Sequence, residues 1–264
     1  MKAIILAAGY AIRLRKSAKG TSYEHVFSTM PKPLLTIAGR PAIEYITDKI
    51  QEVNPPVDEL IIITNATFYD QFEKWKEKSP SAVKIRIIND RSKDNDQKKG
   101  AVRDFAIAVG RDDEIRAPRV TGDVFVLSGD RLFEFSLNEM AAYQRSTKAS
   151  ILINYDCHSK RAVRNSAELA LGPDNRVINF TEKPEHPKST FLCPSIYVFT
   201  ELALNKLPQY LKSGNPADPI GRFSGWLYDK APVYAFHATG YLFDLGSLKS
   251  YLAADKFFRA RLQP

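Results

Sequence analysis

Two stretches of this chain place residues suited to phosphate and cation chemistry at the ends of apolar runs. The first is Leu6-Ala7-Ala8-Gly9, followed by Arg13-Leu14, then Pro31-Lys32-Pro33-Leu34-Leu35 and Gly39-Arg40-Pro41. A strand that ends at a glycine lets backbone approach a bound group with no Cβ in the way, and amides exposed at such a strand end can cradle phosphate oxygens. Arg13 adds a planar fork for paired phosphate oxygens, and Lys32 a point charge held between prolines. The second stretch is Ser128-Gly129-Asp130, closing the run Asp123–Ser128. Ligands in open α/β sheets bind beyond the carboxyl ends of strands, and a carboxylate there can hold Mg²⁺ against phosphate oxygens. Transfer of phosphoryl groups depends mostly on positioning and charge neutralisation, which these residue types supply. Two other phosphate-binding patterns are absent: the sequence has no G-x-x-x-x-G-K-[ST], and the glycine after Gly9 is Gly20, too far for G-x-G-x-x-G.

The elements that must carry these residues follow from hydrophobic patterning. Near-continuous apolar runs at Ala3–Ala8, Glu59–Thr64, Lys84–Asn89, Asp123–Ser128 and Ala149–Tyr155 predict strands covered on both faces, as in a parallel sheet. Between them, Ile43, Ile46, Ile50 and Val53 share one helical face, as do Phe68, Phe72 and Trp75. Strand–helix alternation predicts a doubly wound, mostly parallel α/β sheet of Rossmann-like type. After about residue 165 the pattern changes. Glu168–Leu171 and Arg176–Thr181 read as a hairpin around Pro173-Asp174-Asn175, and Thr190–Phe199 as one further strand. Helices are expected at Glu201–Leu211 and Pro219–Tyr228, a strand at Val233–Phe236, and a last helix capped by Ser247. No linker divides the chain, so residues 1–264 read as one domain, with a first half (1–155) and a second half (156–264) bearing a small β lobe. Residues 15–30 read as a long polar loop.

Composition narrows the classes. At 264 residues, with 44% hydrophobic and 26% charged residues, the chain can bury a core of its own. No apolar run approaches the roughly 20 residues of a membrane span. The N-terminal apolar stretch meets Arg13, Arg15 and Lys16 where a cleavage region would fall, which favours a cytoplasmic protein with no membrane partner. Cys157 and Cys193 are too few for a disulfide framework or a zinc site, and His25, His158, His186 and His237 lack metal-like spacing. In the cytosol the sequons at Asn65 and Asn179 are chance matches. The formal charge of +8 is spread along the chain without a nucleic-acid-binding signature, so a small polyanion explains it better than nucleic acid. Oligomeric state is not legible, a homo-oligomer included.

The order LAAG, Arg13-Leu14 and Pro31-Lys32-Pro33-Leu34 resembles the opening pattern of the sugar-1-phosphate nucleotidyltransferases, LAAGxGTRL…PKPL. Ser128-Gly129-Asp130, Phe180-Thr181-Glu182-Lys183-Pro184, Ile196-Tyr197-Val198-Phe199 and Gly240-Tyr241-Leu242-Phe243-Asp244-Leu245-Gly246 resemble later motifs of the family, in the right order over nearly the whole chain. The resemblance implies the nucleotide-diphospho-sugar transferase fold. It also implies direct displacement at the α-phosphorus of a nucleoside triphosphate by a sugar 1-phosphate, with release of pyrophosphate and formation of a nucleotide sugar. By the same resemblance, Arg13, Lys32, Asp130 and Lys183 are catalytic. Leu6, Ala7, Ala8, Gly9, Ala11, Gly100 and Gly129 bind the nucleotide. Glu182, Lys183, Ser195 and Tyr197 bind the acceptor, and Asp130 and Asp244 share one Mg²⁺. Residues 89–106 resemble the segment that meets the nucleobase, with Gly100 opening a helix there; Lys98 and Lys99 read equally as a solvated basic run. Overall likeness to glucose-1-phosphate thymidylyltransferases implies dTTP or UTP.

The sequence departs from the family pattern inside the expected site. Ala11 stands for the second loop glycine and Ile12 for a threonine, and residues 15–30 lengthen the loop. Arg131 follows Gly129-Asp130, Ala167 replaces a glycine, Pro194-Ser195 replaces Thr-Gly, and Leu242 replaces a tryptophan. Charged residues are kept while small ones are lost. That pattern fits a sugar phosphate, phosphocholine or another non-sugar phosphate as acceptor, or a weakened module that binds a nucleotide sugar without turnover.

Overall fold

The computed structural model describes residues 1–262. In chain order, β1 (Lys2–Leu6) leads into α1 (Ile12–Ala18) and α2 (Glu24–Thr29), then a 3-10 turn at Lys32–Leu34 and the short pair β2 (Thr36–Ile37) and β3 (Arg40–Pro41). Then come α3 (Ala42–Gln51), β4 (Glu59–Thr64), α4 (Tyr69–Lys78), β5 (Ile85–Asn89), α5 (Ala101–Ala108) and β6 (Val124–Ser128). β7 (Arg131–Phe133), α6 (Leu137–Thr147), β8 (Ser150–Asp156), α7 (Lys160–Val163), β9 (Ala167–Leu171) and β10 (Val177–Glu182) follow. The rest is β11 (Phe191–Leu192), β12 (Ile196–Phe199), α8 (Glu201–Lys212), α9 (Gly221–Leu227), β13 (Val233–Ala238), β14 (Leu242–Asp244) and α10 (Leu248–Leu262).

Eight strands form one sheet. β1 lies between β4 and β6, parallel to both, and β5 extends the parallel set beyond β4. β12 runs antiparallel between β6 and β8, while β13 pairs parallel on the other side of β8. Strands from both halves of the chain therefore share the sheet. Successive residues of each strand point to opposite faces. Ala3 and Ile5 join a core beneath α3, α4, α6 and α10, whereas Ile4 joins one beneath α5, α8 and α9. Helices on both faces explain why strands such as β4 are apolar throughout. β9 and β10 form a separate two-stranded sheet packed on α9, where Gly225 leaves room for the Phe180 ring.

Two expectations are corrected. Residues 15–30 are mostly helical: Leu14, Ala18 and Phe27 are fully buried, and Phe27 packs edge-on against Tyr251 of α10 at 5.0 Å. One buried side chain per turn is too sparse a signal in so polar a segment. The single strand expected over Thr190–Phe199 is split into β11 and β12, with Cys193-Pro194-Ser195 between them, because proline donates no ladder hydrogen bond. Ser247 caps α10 as expected, its Oγ accepting from the Ser250 amide at 3.2 Å.

Candidate active site

Parallel pairing brings the carboxyl ends of β1, β4 and β6 to one edge. A cavity of about 380 Å³ opens there, walled by Leu6, Ala7, Ala8, Gly9, Ala11, Arg13, Lys32, Gly100, Ser128 and Asp130. The backbone after β1 is held from below. The Asn65 side chain donates to the Ala8 carbonyl at 2.9 Å, and the Ala7 amide donates to the Ile63 carbonyl at 2.8 Å. Asn65 is fully buried, and its sequon hid this anchoring position.

Ala11 precedes α1 in the left-handed region, at φ 56° and ψ 28°. An alanine there carries a steric cost of roughly 1–2 kcal/mol that glycine escapes. Ala11→Gly is therefore expected to leave the melting temperature unchanged or higher. Ala106→Gly, in the interior of α5, should lose about 1 kcal/mol. Thermal melts of the two variants check this, and equal losses would contradict it.

Asp130 sits one residue past Gly129, within reach of Lys32. The Lys32 ammonium donates to Asp130 Oδ2 at 2.7 Å, and the Ser128 hydroxyl donates to Oδ1 at 2.6 Å. Burial alone would raise the Asp130 carboxyl, but the Lys32 and Arg131 charges and the hydrogen bonds from Lys32 and Ser128 hold it well below the usual carboxylate range. Gly129 is buried instead of facing the cavity. A Cβ there would lie 2.7 Å from Pro33, so this glycine lets the Lys32 turn pack beside Asp130.

A second cavity, of about 620 Å³, lies on the other side of Arg13, which walls both. It is lined by Arg131, Tyr155, Cys157, Ser159, Arg161, Asp244 and Lys249, among others. β7 and β14 pair antiparallel, placing Asp244 opposite Arg131, and the Leu245 amide donates to the Asp130 carbonyl at 3.0 Å. Arg131 Nη2 meets Asp244 Oδ2 at 3.2 Å, while Asp244 Oδ1 is buried without a partner. Gly246 makes this corner possible: a Cβ there would lie 2.9 Å from Asp244 Oδ1 and 3.3 Å from Arg13 Nη2. Among the described residues, no three His, Cys, Asp or Glu side chains form a metal-ligating group. Mg²⁺ is commonly held by one or two carboxylates, with waters and phosphate oxygens completing its shell, so Asp130 and Asp244, with its unpartnered oxygen, fit that ion.

The remaining residues singled out in the sequence are placed less centrally. Tyr197 is 1% exposed, packed on Phe199 in the core at 5.3 Å, and walls neither cavity. The family motif there is a strand interior, where sequence cannot separate packing from contact. Ser195 lies on the wall of the first cavity and its carbonyl accepts from the Ser128 amide at 2.9 Å. Glu182 is set against Gly221 of α9, and burial raises its carboxyl. Lys183 is exposed on the hairpin, outside the walls of both cavities, with its amide donating to the Ser166 carbonyl at 2.7 Å; Ser166 itself lines the second cavity.

A further part of the first cavity's wall is different in character. Gly100 opens α5 at φ +91°, and a Cβ there would lie 2.6 Å from the Ala217 carbonyl oxygen. Asn95, Lys98, Ala101, Asp104 and Asp218 continue this wall, with Lys98 paired to Asp218 at 2.8 Å. Lys99 reaches Glu114 at 3.6 Å. Asp104 and Asp90 are both buried, and each is a close carboxyl neighbour of the other. Burial first, and Asp90 second, push the Asp104 carboxyl well up. A carboxyl raised in the folded state stays protonated after the unfolded chain has released its proton near pH 4, so its contribution to stability falls as pH rises. Asp104→Asn should match the wild type near pH 4.5. At pH 8 it should melt higher, by about 2–4 °C for each roughly 1 kcal/mol recovered. A difference in melting temperature that does not change with pH would contradict this.

The fold and the two cavities meeting at Arg13 define an α/β protein with an open cleft beyond the ends of its parallel strands. A profile of the family described as nucleotidyl transferase matches residues 2–261, and the chain belongs to that family. The bifunctional protein GlmU of Methanococcus maripaludis is 27% identical over 260 residues, which are 98% of this chain and 54% of that protein. GlmU of Methanocaldococcus jannaschii is 25% identical over 257 residues, 97% of this chain and again 54% of the relative. The chain thus spans about half the length of the relatives it matches. Among solved structures, a UDP-glucose pyrophosphorylase complexed with UDP-glucose superposes with a TM-score of 0.75 at 16% identity, covering 98% of both chains. A Bacillus anthracis protein described as a glucose-1-phosphate thymidylyltransferase, complexed with a sucrose, superposes at 0.74 and 18% identity, covering 98% of this chain and 95% of that one. These likenesses establish a shared fold: α/β, with a large, mostly parallel sheet.

Proposed function

We propose that the chain couples a nucleoside triphosphate to a sugar 1-phosphate, releasing pyrophosphate and forming a nucleotide sugar. The observation that carries this reading is the shared wall at Arg13. One cavity offers strand-end backbone, Lys32 and Asp130, the other is ringed by arginine and lysine, and a phosphate in each would meet at the same guanidinium. In the reaction an acceptor phosphate oxygen attacks the α-phosphorus. A new P–O bond forms as the bond from the α-phosphorus to the bridging oxygen breaks, and pyrophosphate leaves with that electron pair. The attacking phosphate is ionised at neutral pH, so no side chain need deprotonate it. Arg13 and Lys32 neutralise charge on the departing pyrophosphate, and the backbone of Leu6–Ala11 holds the triphosphate in line.

Asp130 and Asp244 would hold Mg²⁺, whose chemistry when bound is to neutralise phosphate charge and fix the donor's geometry. Lys183 and Glu182 would act on the acceptor, from the hairpin beside Ser166. The resemblance to thymidylyltransferases and the UDP-glucose complex of a fold relative favour dTTP or UTP and a hexose 1-phosphate. Small-molecule phosphates as substrates also favour the cytosol, and among the described residues no helix is long and apolar enough to cross a membrane. The test is pyrophosphate release over a grid of triphosphates and acceptors, including glucose 1-phosphate, N-acetylglucosamine 1-phosphate and phosphocholine, with Mg²⁺. Release dependent on a sugar 1-phosphate supports the reading. Release only with phosphocholine would transfer it to a non-sugar acceptor, and binding of a nucleotide sugar with no release anywhere on the grid would make the chain a sensor.

A further inference from the structure

The walls of the second cavity are unbalanced in charge. Arg13 of α1, Arg131 of β7, Arg161 of α7 and Lys249 of α10 line it, and Asp244 is the only carboxylate among its lining residues. Arg131 is paired to Asp244 at 3.2 Å, while among the described residues Arg13, Arg161 and Lys249 form no ion pair. The imbalance is local. In the first cavity Lys32 and Lys98 are bound to Asp130 and Asp218 at 2.7 and 2.8 Å. In the cleft between α5 and α8, Arg103 and Lys212 meet Asp112 and Asp113 at 2.9 and 3.5 Å. The formal +8 of the whole chain thus leaves other clefts neutralised by the protein's own carboxylates, and the second cavity bare.

Its four cations fall into two sets. Arg13 and Arg131 stand at the Asp244 corner: a Cβ on Gly246 would lie 2.9 Å from Asp244 Oδ1 and 3.3 Å from Arg13 Nη2, and Arg131 holds the same carboxylate. That corner adjoins Asp130 through the Leu245 amide, so the attacking phosphate belongs there. Arg161 and Lys249 come from other elements, α7 and the first turn of α10, and bind neither aspartate. A phosphate monoester carries close to two negative charges at pH 7, and the Arg13–Arg131 corner supplies its counter-charge. Arg161 and Lys249 are then left without an anion. A neutral sugar body does not answer to them either. Arginine and lysine offer donors only, Asp244 is tied to Arg131, and Glu182 walls neither cavity, so few groups there can accept from sugar hydroxyls.

We infer that the acceptor carries a second anionic group, a carboxylate or a further phosphate, on the part of the molecule away from the attacking phosphate, and that Arg161 and Lys249 hold it. This rests on the nucleotidyl-transfer reading of the site and names the class of acceptor within it.

The test uses the whole chain with Mg²⁺ and the triphosphate that releases most pyrophosphate. It compares kcat/KM for glucose 1-phosphate, glucuronic acid 1-phosphate and glucose 1,6-bisphosphate, which share the attacking phosphate. At least one of the two doubly anionic acceptors should exceed glucose 1-phosphate by about tenfold, and which one does so tells carboxylate from phosphate. An exposed ion pair is worth little singly, so Arg161→Gln and Lys249→Gln should each lower that preference about threefold, and the double variant should remove it. Arg161→Lys, which keeps the charge, should retain more of the preference than Arg161→Gln. Raising salt from about 0.05 to about 0.5 M should shrink the preference in the wild type. Both side chains are exposed; should either glutamine variant fail to fold, the other single variant and the salt dependence decide. A wild type that uses glucose 1-phosphate as well as or better than both doubly anionic acceptors overturns the inference. So does a preference that survives in the double variant, or an equal loss there for all three acceptors. Those outcomes leave pyrophosphate release with glucose 1-phosphate, and the reading of the site, standing. Release with none of the three acceptors overturns that reading and this inference together.

Discussion

Asp130→Asn and Asp244→Asn should each lower turnover by about 10²-fold or more, the scale seen when one preorganised electrostatic group is removed from a reacting centre. The expectation rests on adjacency. The β7–β14 pair and the hydrogen bond from the Leu245 amide to the Asp130 carbonyl hold the two aspartates at one corner, and Asp244 keeps an oxygen free. If they serve one ion, the double variant should cost little beyond the worse single, because groups acting as a unit lose their function together. Raising Mg²⁺ should partly restore each single variant. Losses that multiply in the double variant, or singles indifferent to Mg²⁺, would show that the carboxylates act separately.

The second large effect is expected at the cations. Lys32 is the ammonium bound to Asp130, and Arg13 walls both cavities. Lys32→Ala removes the charge opposite a triphosphate and leaves Asp130 without its partner, so turnover should fall by about 10²-fold with weakened triphosphate binding. Arg13→Ala should damage use of triphosphate and acceptor alike. Lys183→Ala, on the exposed hairpin, should mainly raise the KM for the acceptor. Steady-state kinetics with each substrate varied in turn separate the three patterns. Identical defects in all three variants would contradict the division between donor and acceptor sides.

How much of this was legible in the sequence depended on the kind of force involved. β4 was readable to the residue because a strand buried on both faces must be apolar at every position. Gly9, Arg13, Lys32 and Asp130 were readable because strand ends in a parallel sheet converge, and those residues do wall one cavity. Short helices at 12–29 were not, since Leu14, Ala18 and Phe27 alone mark their buried side. Residues whose importance comes from a distant partner were also hidden. Asn65 matters through the Ala8 carbonyl, Arg131 through Asp244, and Asp104 through Asp90. Tyr197 errs in the other direction: it belongs to a motif, yet the sheet buries it. Gly129 likewise serves packing against Pro33, with no direct part in the cavity wall.

The central claim is that attack falls on the α-phosphorus, and the fate of labelled phosphorus tests it most directly. The enzyme is given the triphosphate and sugar 1-phosphate that release most pyrophosphate, with the triphosphate labelled with ³²P at either the α or the γ position. The account predicts that α-label appears in the nucleotide sugar and γ-label in pyrophosphate, one of each per turnover. Transfer of γ-label to the sugar phosphate, or its release as inorganic phosphate, would mean attack at the γ-phosphorus and would contradict the account.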